Sequence, residues 1–139
     1  MTTRQYLNQI EKYDNLIHNK IIEEEQLNIL SMSVKSAPIG EKVQTSSKQD
    51  PMGDMVAKII DLREEISKMA TDFLEQKQEI IRTIEKVEDP ILYDVLFKRY
   101  VEYKTLLSIA DELGYSEVTI KRLHLKAIKA IKNIKGFES

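Results

Sequence analysis

The feature that most constrains this chain is an apolar repeat running from Met55 to Val87. Met55, Ile59, Leu62, Ile66, Met69, Phe73, Gln76, Ile80, Thr83 and Val87 follow in alternating steps of four and three, and eight of these ten are apolar. A strand alternates its faces at every second residue, so only an α-helix brings all ten to one side. A four–three alternation held this long is a coiled-coil seam rather than a generic amphipathic face. Val56, Ile60, Ala70, Leu74, Ile81 and Ile84 widen the stripe beyond what two helices would cover. The polar seam positions Gln76 and Thr83 are candidates for fixing register.

The N-terminal segment carries a related pattern. From Thr3 to Lys35 there is neither glycine nor proline, and Tyr6, Ile10, Tyr13 and Ile17 share one helical face. The stripe weakens through Lys20 and Glu24 before Leu27 and Leu30 resume it. Ser36 to Met52 (SAPIGEKVQTSSKQDPM) collects two prolines, a glycine and small polar residues, and reads as a loop. A second helix is expected from Gly53 to Glu88. Helices of about 33 and 36 residues each extend roughly 50 Å, and their matched lengths favour an antiparallel hairpin within one chain. A lone hairpin has a thin core, so the widened stripe points to a homodimer formed through the hairpins. A loop of this length permits pairing in cis or in trans.

Composition fits a helical protein and excludes several chemistries. Four glycines and three prolines in 139 residues leave few helix breaks. Without cysteine there is no disulfide framework, thiolate metal site or cysteine nucleophile. His18 and His124 lie too far apart for a metal motif. No apolar run reaches the roughly 18 residues of a membrane span, and the first residues have no signal-peptide core. Carboxylate runs such as Glu23, Glu24 and Glu25, or Glu64 and Glu65, read as solvated helix faces. With no glycine-rich phosphate loop and no nucleophile–base pairing, neither catalysis nor a cofactor is expected.

The net charge of −2 hides an asymmetry. Residues 1–88 hold 12 Lys/Arg against 16 Asp/Glu, and residues 89–139 hold 9 against 7. Within Ser116–Lys135, Lys121, Arg122, Lys126, Lys129, Lys132 and Lys135 face Glu117 alone. Positive charge is concentrated on one segment, the footprint of a local phosphate-contacting surface.

That segment belongs to a second motif. Asp89-Pro90 breaks the long repeat, and Pro90 suits the first turn of a new helix reaching Tyr100, apolar at Leu92, Val95, Leu96 and Tyr100. From Thr105 to Ile134 the chain reads as a helix-turn-helix. Thr105 caps the first helix, Ile109 and Leu113 point inward, and Ala110 sits where the two helices cross. Gly114 occupies the turn, where a left-handed backbone is cheap only for glycine, and Tyr115 can pack beneath it. Ser116 caps the second helix, with Ile120 and Leu123 as its buried face. By exclusion Glu117, Val118, Lys121, Arg122 and Leu125 face a DNA groove. Arg122 suits a bidentate guanine contact, Val118 a thymine methyl, and Glu117 a cytosine amine or the positive helix end. Lys121, Lys126 and Lys129 suit phosphates. His124 reads as a packed or solvated histidine, and Lys132 and Lys135 as complements to the helix's C-terminal dipole.

The run YKTLLSIADELGYSEVTIKRLHLKAIKAI resembles region 4 of bacterial sigma factors, a promoter-reading helix-turn-helix. Ile109-Ala110, Leu113-Gly114, Ser116, Thr119-Ile120-Lys121 and Ala127 match its pattern. The whole chain, with YLNQI, EKVQTSSKQDPMGDMVAKIIDL and VEDPILYDVLFKRY, is similar to phage and prophage proteins of Gram-positive bacteria described as sigma-region-4-like. These in turn resemble late transcription regulators of the ArpU and RinA type. Nothing in the chain resembles the sigma region that melts promoter DNA. The resemblance implies double-stranded DNA and RNA polymerase as partners in a bacterial host. With no spanning apolar run and no signal-peptide core, the cytoplasm and no membrane partner are expected.

The expected architecture is all-α: a long antiparallel hairpin over residues 1–88 for oligomerisation, with its loop at 36–52, then a helix-turn-helix DNA-binding domain over 89–139. The candidate DNA-binding set is Ser116, Glu117, Val118, Thr119, Lys121, Arg122, Leu125, Lys126 and Lys129. Transcription regulation is the leading expectation. A small-terminase-like packaging subunit would share the same parts and assemble as a ring. A protein-interaction module would use the hairpin and bind no DNA.

Overall fold

The computed structural model describes residues 1–35 and 50–137. Among them are five α-helices and no β-strand: α1 (Thr3–Lys35), α2 (Pro51–Glu85), α3 (Pro90–Tyr100), α4 (Leu106–Leu113) and α5 (Glu117–Lys135). The protein is all-α, as expected. Residues 36–49 of the expected loop lie outside the described residues. Its last two residues belong to α2, which starts at Pro51 rather than Gly53. The Asp50 carboxylate accepts the Gly53 N–H at 3.0 Å, and its carbonyl accepts that of Asp54 at 2.9 Å. The same Asp-Pro device opens α3, where Asp89 accepts from Ile91 and Leu92 and Pro90 stands in the first turn. Proline there sacrifices only an N–H that the helix would not have used. α2 stops at Glu85, three residues short of the expected end. Lys86 and Val87 bond back to the carbonyls of Thr83 and Ile84 in a tighter turn.

The chain divides into two compact units, one of Met1–Asp14 with Asp72–Ser139 and one of Asn15–Thr71. The boundary expected at residue 88 does not coincide with this division. The physical reason is the principal core of the first unit, where the beginning of α1 and the end of α2 pack with α3 and α5. Tyr6, Leu7 and Ile10 of α1, Ile80 and Ile84 of α2, Val87, Leu96 and Tyr100, and Ala127 and Ile131 of α5 form one buried cluster. Fully burying a Leu or Ile side chain stabilises by about 1.5–3 kcal/mol, so these residues carry much of the unit's stability. A second cluster, Val95, Ile109, Ala110 and Ile120, joins α3, α4 and α5, with Leu106, Leu113 and Leu123 against it.

Polar residues of the long repeat find specific partners within this unit. The Gln76 amide donates to Gln9 Oε1 at 3.0 Å, while buried Thr83 lies with its Oγ1 2.9 Å from Tyr6 Oη. Both seam positions are therefore matched to particular residues of α1. Tyr6 also donates to the Glu79 carboxylate, which accepts from Lys135 Nζ at 2.9 Å, and the Tyr6 ring packs against Phe137 with centroids 4.9 Å apart. Burial, then the hydrogen bond to Glu79, pushes the Tyr6 phenol up. Burial works against the Glu79 carboxylate too, but hydrogen bonds from Tyr6 and Lys135 outweigh it and hold that carboxyl below its usual range. Between α3 and α4, Tyr103 adopts φ +61°, a left-handed backbone uncommon for a bulky residue. Its phenol donates to Asp14 at 2.7 Å.

The helical residues described in the second unit belong to α1 and α2. Ile59 and Leu62 are buried, and Met55, Ile66 and Met69 are half-buried. Partners meet in opposite order along the two helices: Lys20 lies 3.3 Å from Glu65, Arg63 donates to Glu24 at 2.8 Å, and Ser31 approaches Met52. These contacts correct the expected α1 stripe. A strict four–three continuation from Ile17 passes through residues 20, 24, 27 and 31, and the packing follows it. Ser31 is 8% exposed and Leu30 51%, because one residue is about 100° of helix rotation. Ile21, Ile22, Ile29, Val56 and Ile60 are also exposed.

Candidate nucleic-acid interface

The segment from Thr105 to Lys135 forms α4, a short turn and α5, with the capping residues where the sequence puts them. Thr105 Oγ1 accepts the Ser108 N–H at 3.1 Å. At the end of α4, Gly114 has φ +80°, and its N–H and that of Tyr115 both bond to the Ala110 carbonyl at 2.9 Å. Nothing lies within 4 Å of a Cβ added at Gly114, so backbone conformation rather than space calls for glycine. Tyr115 is exposed instead of packing beneath the turn. Ser116 Oγ accepts the Thr119 N–H at 3.2 Å and lies 2.8 Å from Thr119 Oγ1. These two site candidates are thus engaged in capping α5.

α5 has two sharply different faces. Ile120, His124, Ala127 and Ile131 are buried, at the spacing of one helical face. Lys121, Arg122, Lys126 and Lys129 are exposed, and with them Val118 and Leu125 at 78% and 58%. Glu117 is half-buried and pairs with Lys121 at 3.3 Å. An exposed pair one helical turn apart contributes about 0.3–0.5 kcal/mol, so a competing phosphate can displace it. Arg122, Lys126 and Lys129 make no ion pair among the described residues. Lys135 instead belongs to the Tyr6–Glu79 cluster.

Of the two environments expected for His124, packed or solvated, the structure shows the packed one. Its Nε2 lies 2.7 Å from Tyr100 Oη, and the two rings stack with centroids 5.7 Å apart. Burial, then the charges of Arg4 and Arg99, lowers its pKa from 6.5 to about 4. The imidazole is neutral at physiological pH. On the neighbouring surface Lys98 and Lys104 share the Glu112 carboxylate and tie α4 to α3 and its following loop.

Two clefts in this unit border α5. One, of about 460 Å³, is lined by Thr2, Thr3 and Arg4 of the chain start and by Leu125, Ile128, Lys129 and Lys132 of α5. The other, of about 270 Å³, is lined by Arg4, Asn8, Arg99, Tyr100, Leu106 and His124. That Arg4, Asn8 and Arg99 line a common cleft was not legible in the sequence. Two lie in a helix whose pattern speaks only of packing, and no local motif joins them to Arg99. Among the described residues no group of three or more His, Cys, Asp or Glu is arranged to hold a metal ion, and no helix is long and apolar enough to cross a membrane.

No curated protein and no solved structure matches the chain. The family described as "Protein of unknown function (DUF1492)" matches residues 33–132, and the chain belongs to it.

Proposed function

We propose that this member of the DUF1492 family is a sequence-specific DNA-binding transcription regulator, in which α4, the Gly114 turn and α5 act as a helix-turn-helix. The observation that carries the reading is the outer face of α5. Exposed Lys121, Arg122, Lys126 and Lys129 share it with exposed Val118 and Leu125, while the opposite face is locked into two cores. Basic side chains supply phosphate attraction, Arg122 has the fork that matches a guanine edge, and Val118 can meet a thymine methyl. Ser116 and Thr119 support the surface by fixing the start of α5.

The exposed apolar residues of the second unit support the remaining part of the reading, pairing of two chains through a hairpin of α1 and α2. Ile22, Ile29, Val56 and Ile60 are exposed among the described residues. A homodimer would present two copies of α5 to one duplex.

The experiment is fluorescence-anisotropy binding of the full chain to duplexes tiled across its own genomic neighbourhood, at two salt concentrations. A preferred duplex is expected, with affinity falling steeply as salt rises. Replacing Lys121 and Arg122 together by alanine should cost about 1–3 kcal/mol for a lost bidentate base contact, and the lost phosphate contact should flatten the salt dependence. Unchanged binding and salt slope in that double variant would sink the reading. Sedimentation of the same sample reports assembly: a dimer agrees with regulation, and a larger ring points to DNA packaging.

A further inference from the structure

We propose that Arg4 and Arg99, above the buried Tyr100–His124 pair, form a binding site for a phosphate group. The site goes beyond the groove-facing surface of α5 and recruits α1, which the sequence assigns to packing alone. It rests on the DNA-binding reading only where the phosphate belongs to a duplex backbone.

The charge arrangement is the first argument. Four cations in this unit sit beside carboxylates, Lys98 and Lys104 with Glu112, Lys121 with Glu117, and Lys135 with Glu79, whereas Arg122, Lys126 and Lys129 on α5 do not. Arg4 and Arg99 make no ion pair among the described residues, yet they line the same cleft of about 270 Å³. Both charges bear on the His124 ring and lower its pKa, after burial, and both oppose the rise that burial imposes on the Tyr100 phenol. Positive field converges on a polar cleft that contains no acidic residue in its lining.

The second argument is geometry. The floor consists of Tyr100 and His124, 5% and 7% exposed, held to each other by their 2.7 Å hydrogen bond. Arg99 Nη1 donates to the Lys104 carbonyl at 3.0 Å, which fixes its guanidinium and leaves other N–H groups for a ligand. The planar fork of guanidinium donors matches phosphate oxygens bidentately, and Asn8, also in the lining, carries a neutral amide donor. Leu106, the first residue of α4, also lines the cleft. Arg4 also lines the neighbouring cleft with Lys129 and Lys132, so the cationic lining continues onto α5.

The test follows the His124 ring by nuclear magnetic resonance in the full-length protein at constant ionic strength. One arm adds inorganic phosphate in place of chloride, the other a duplex that the protein prefers. A bound phosphate offsets the arginine charges, so the His124 protonation midpoint is expected to rise from about 4, saturably, and Arg4→Ala should abolish the response. Arg4 is exposed, so the variant should fold, which its circular dichroism checks. A response to inorganic phosphate assigns the site to free phosphate groups. A response to the duplex alone assigns it to the DNA backbone, and Arg4→Ala should then reduce the salt slope by about 0.9, the effect of one phosphate. No response in either arm, or an Arg4→Ala variant that responds like the parent, overturns the site. The DNA reading is judged separately by Lys121 and Arg122: it stands if their loss weakens binding while His124 stays silent. It falls if no duplex binds while phosphate still moves His124.

Discussion

α1 and α2 carry related apolar repeats through both units, but the two units bury those repeats to different depths. In the first, Leu7, Ile10, Ile80 and Ile84 are wholly buried. In the second, Ile59 and Leu62 are the most deeply buried apolar residues among those described, and several isoleucines face outward. The difference lies in the third layer. Where α3 and α5 pack against the pair, Ile84 is wholly buried beside the seam and Ile81 half-buried, although Leu74 stays 55% exposed. In the second unit, where the described helical residues belong to α1 and α2 alone, the seam is shielded and the flanks are exposed. Lys20 and Glu24 occupy seam positions there and hold partners by ion pairs instead of apolar contact. An apolar repeat specifies a helix and a face, whereas burial depends on how many neighbours that face acquires.

Paired truncations should widen this contrast most. Ile84→Ala removes a wholly buried side chain and should cost about 2–5 kcal/mol in urea unfolding, whereas Ile60→Ala, on an exposed position, should stay within about 0.5 kcal/mol in the monomer. Similar losses at the two sites would break the comparison. Acid should act next, and through the first unit. The unfolded chain binds a proton at His124 near pH 6.5, but the folded chain does so only near pH 4. Stability should therefore fall as pH drops through that window and level off below it, by up to about 3 kcal/mol. His124→Gln should remove this component from thermal melts recorded across the range, and a profile unchanged by the substitution would refute the assignment. The smallest effect belongs to the second unit. Arg63→Ala deletes the pair with Glu24 and should cost no more than about 1 kcal/mol, less in high salt. A larger, salt-insensitive loss would mean that this pair carries the packing of its unit.

Much of the local architecture was legible because its causes are local. Asp89-Pro90, Thr105, Gly114 and Ser116 each satisfy a backbone requirement within a few residues, and each acts where the sequence places it. All ten seam positions from Met55 to Val87 are shielded at least in part. Asp50-Pro51 carried the same helix-start signal as Asp89-Pro90, but the surrounding prolines and small polar residues obscured it. Leu30 was misplaced because hydrophobicity was followed where the strict period pointed to Ser31. The outer face of α5 was readable from its alternation, since Ile120, Ala127 and Ile131 leave the basic residues no other side. The clefts were not. Arg4 and Arg99 are brought together by packing between residues distant in sequence, and no short-range pattern encodes that meeting.

The buried face of α5 contributes Ile120 to one core and Ala127 and Ile131 to the other. One helix thus serves as a common wall for both clusters and, on its far side, as the basic surface. Its orientation is set before any ligand arrives, so little ordering entropy is left to oppose association. The linkage also runs in reverse. A ligand that holds only the folded form of α5, present at a hundred times its dissociation constant, adds about 2.7 kcal/mol to the folding equilibrium. Because α5 shares its core with Tyr6 and Leu7, that added resistance should extend to amide exchange in the first turns of α1.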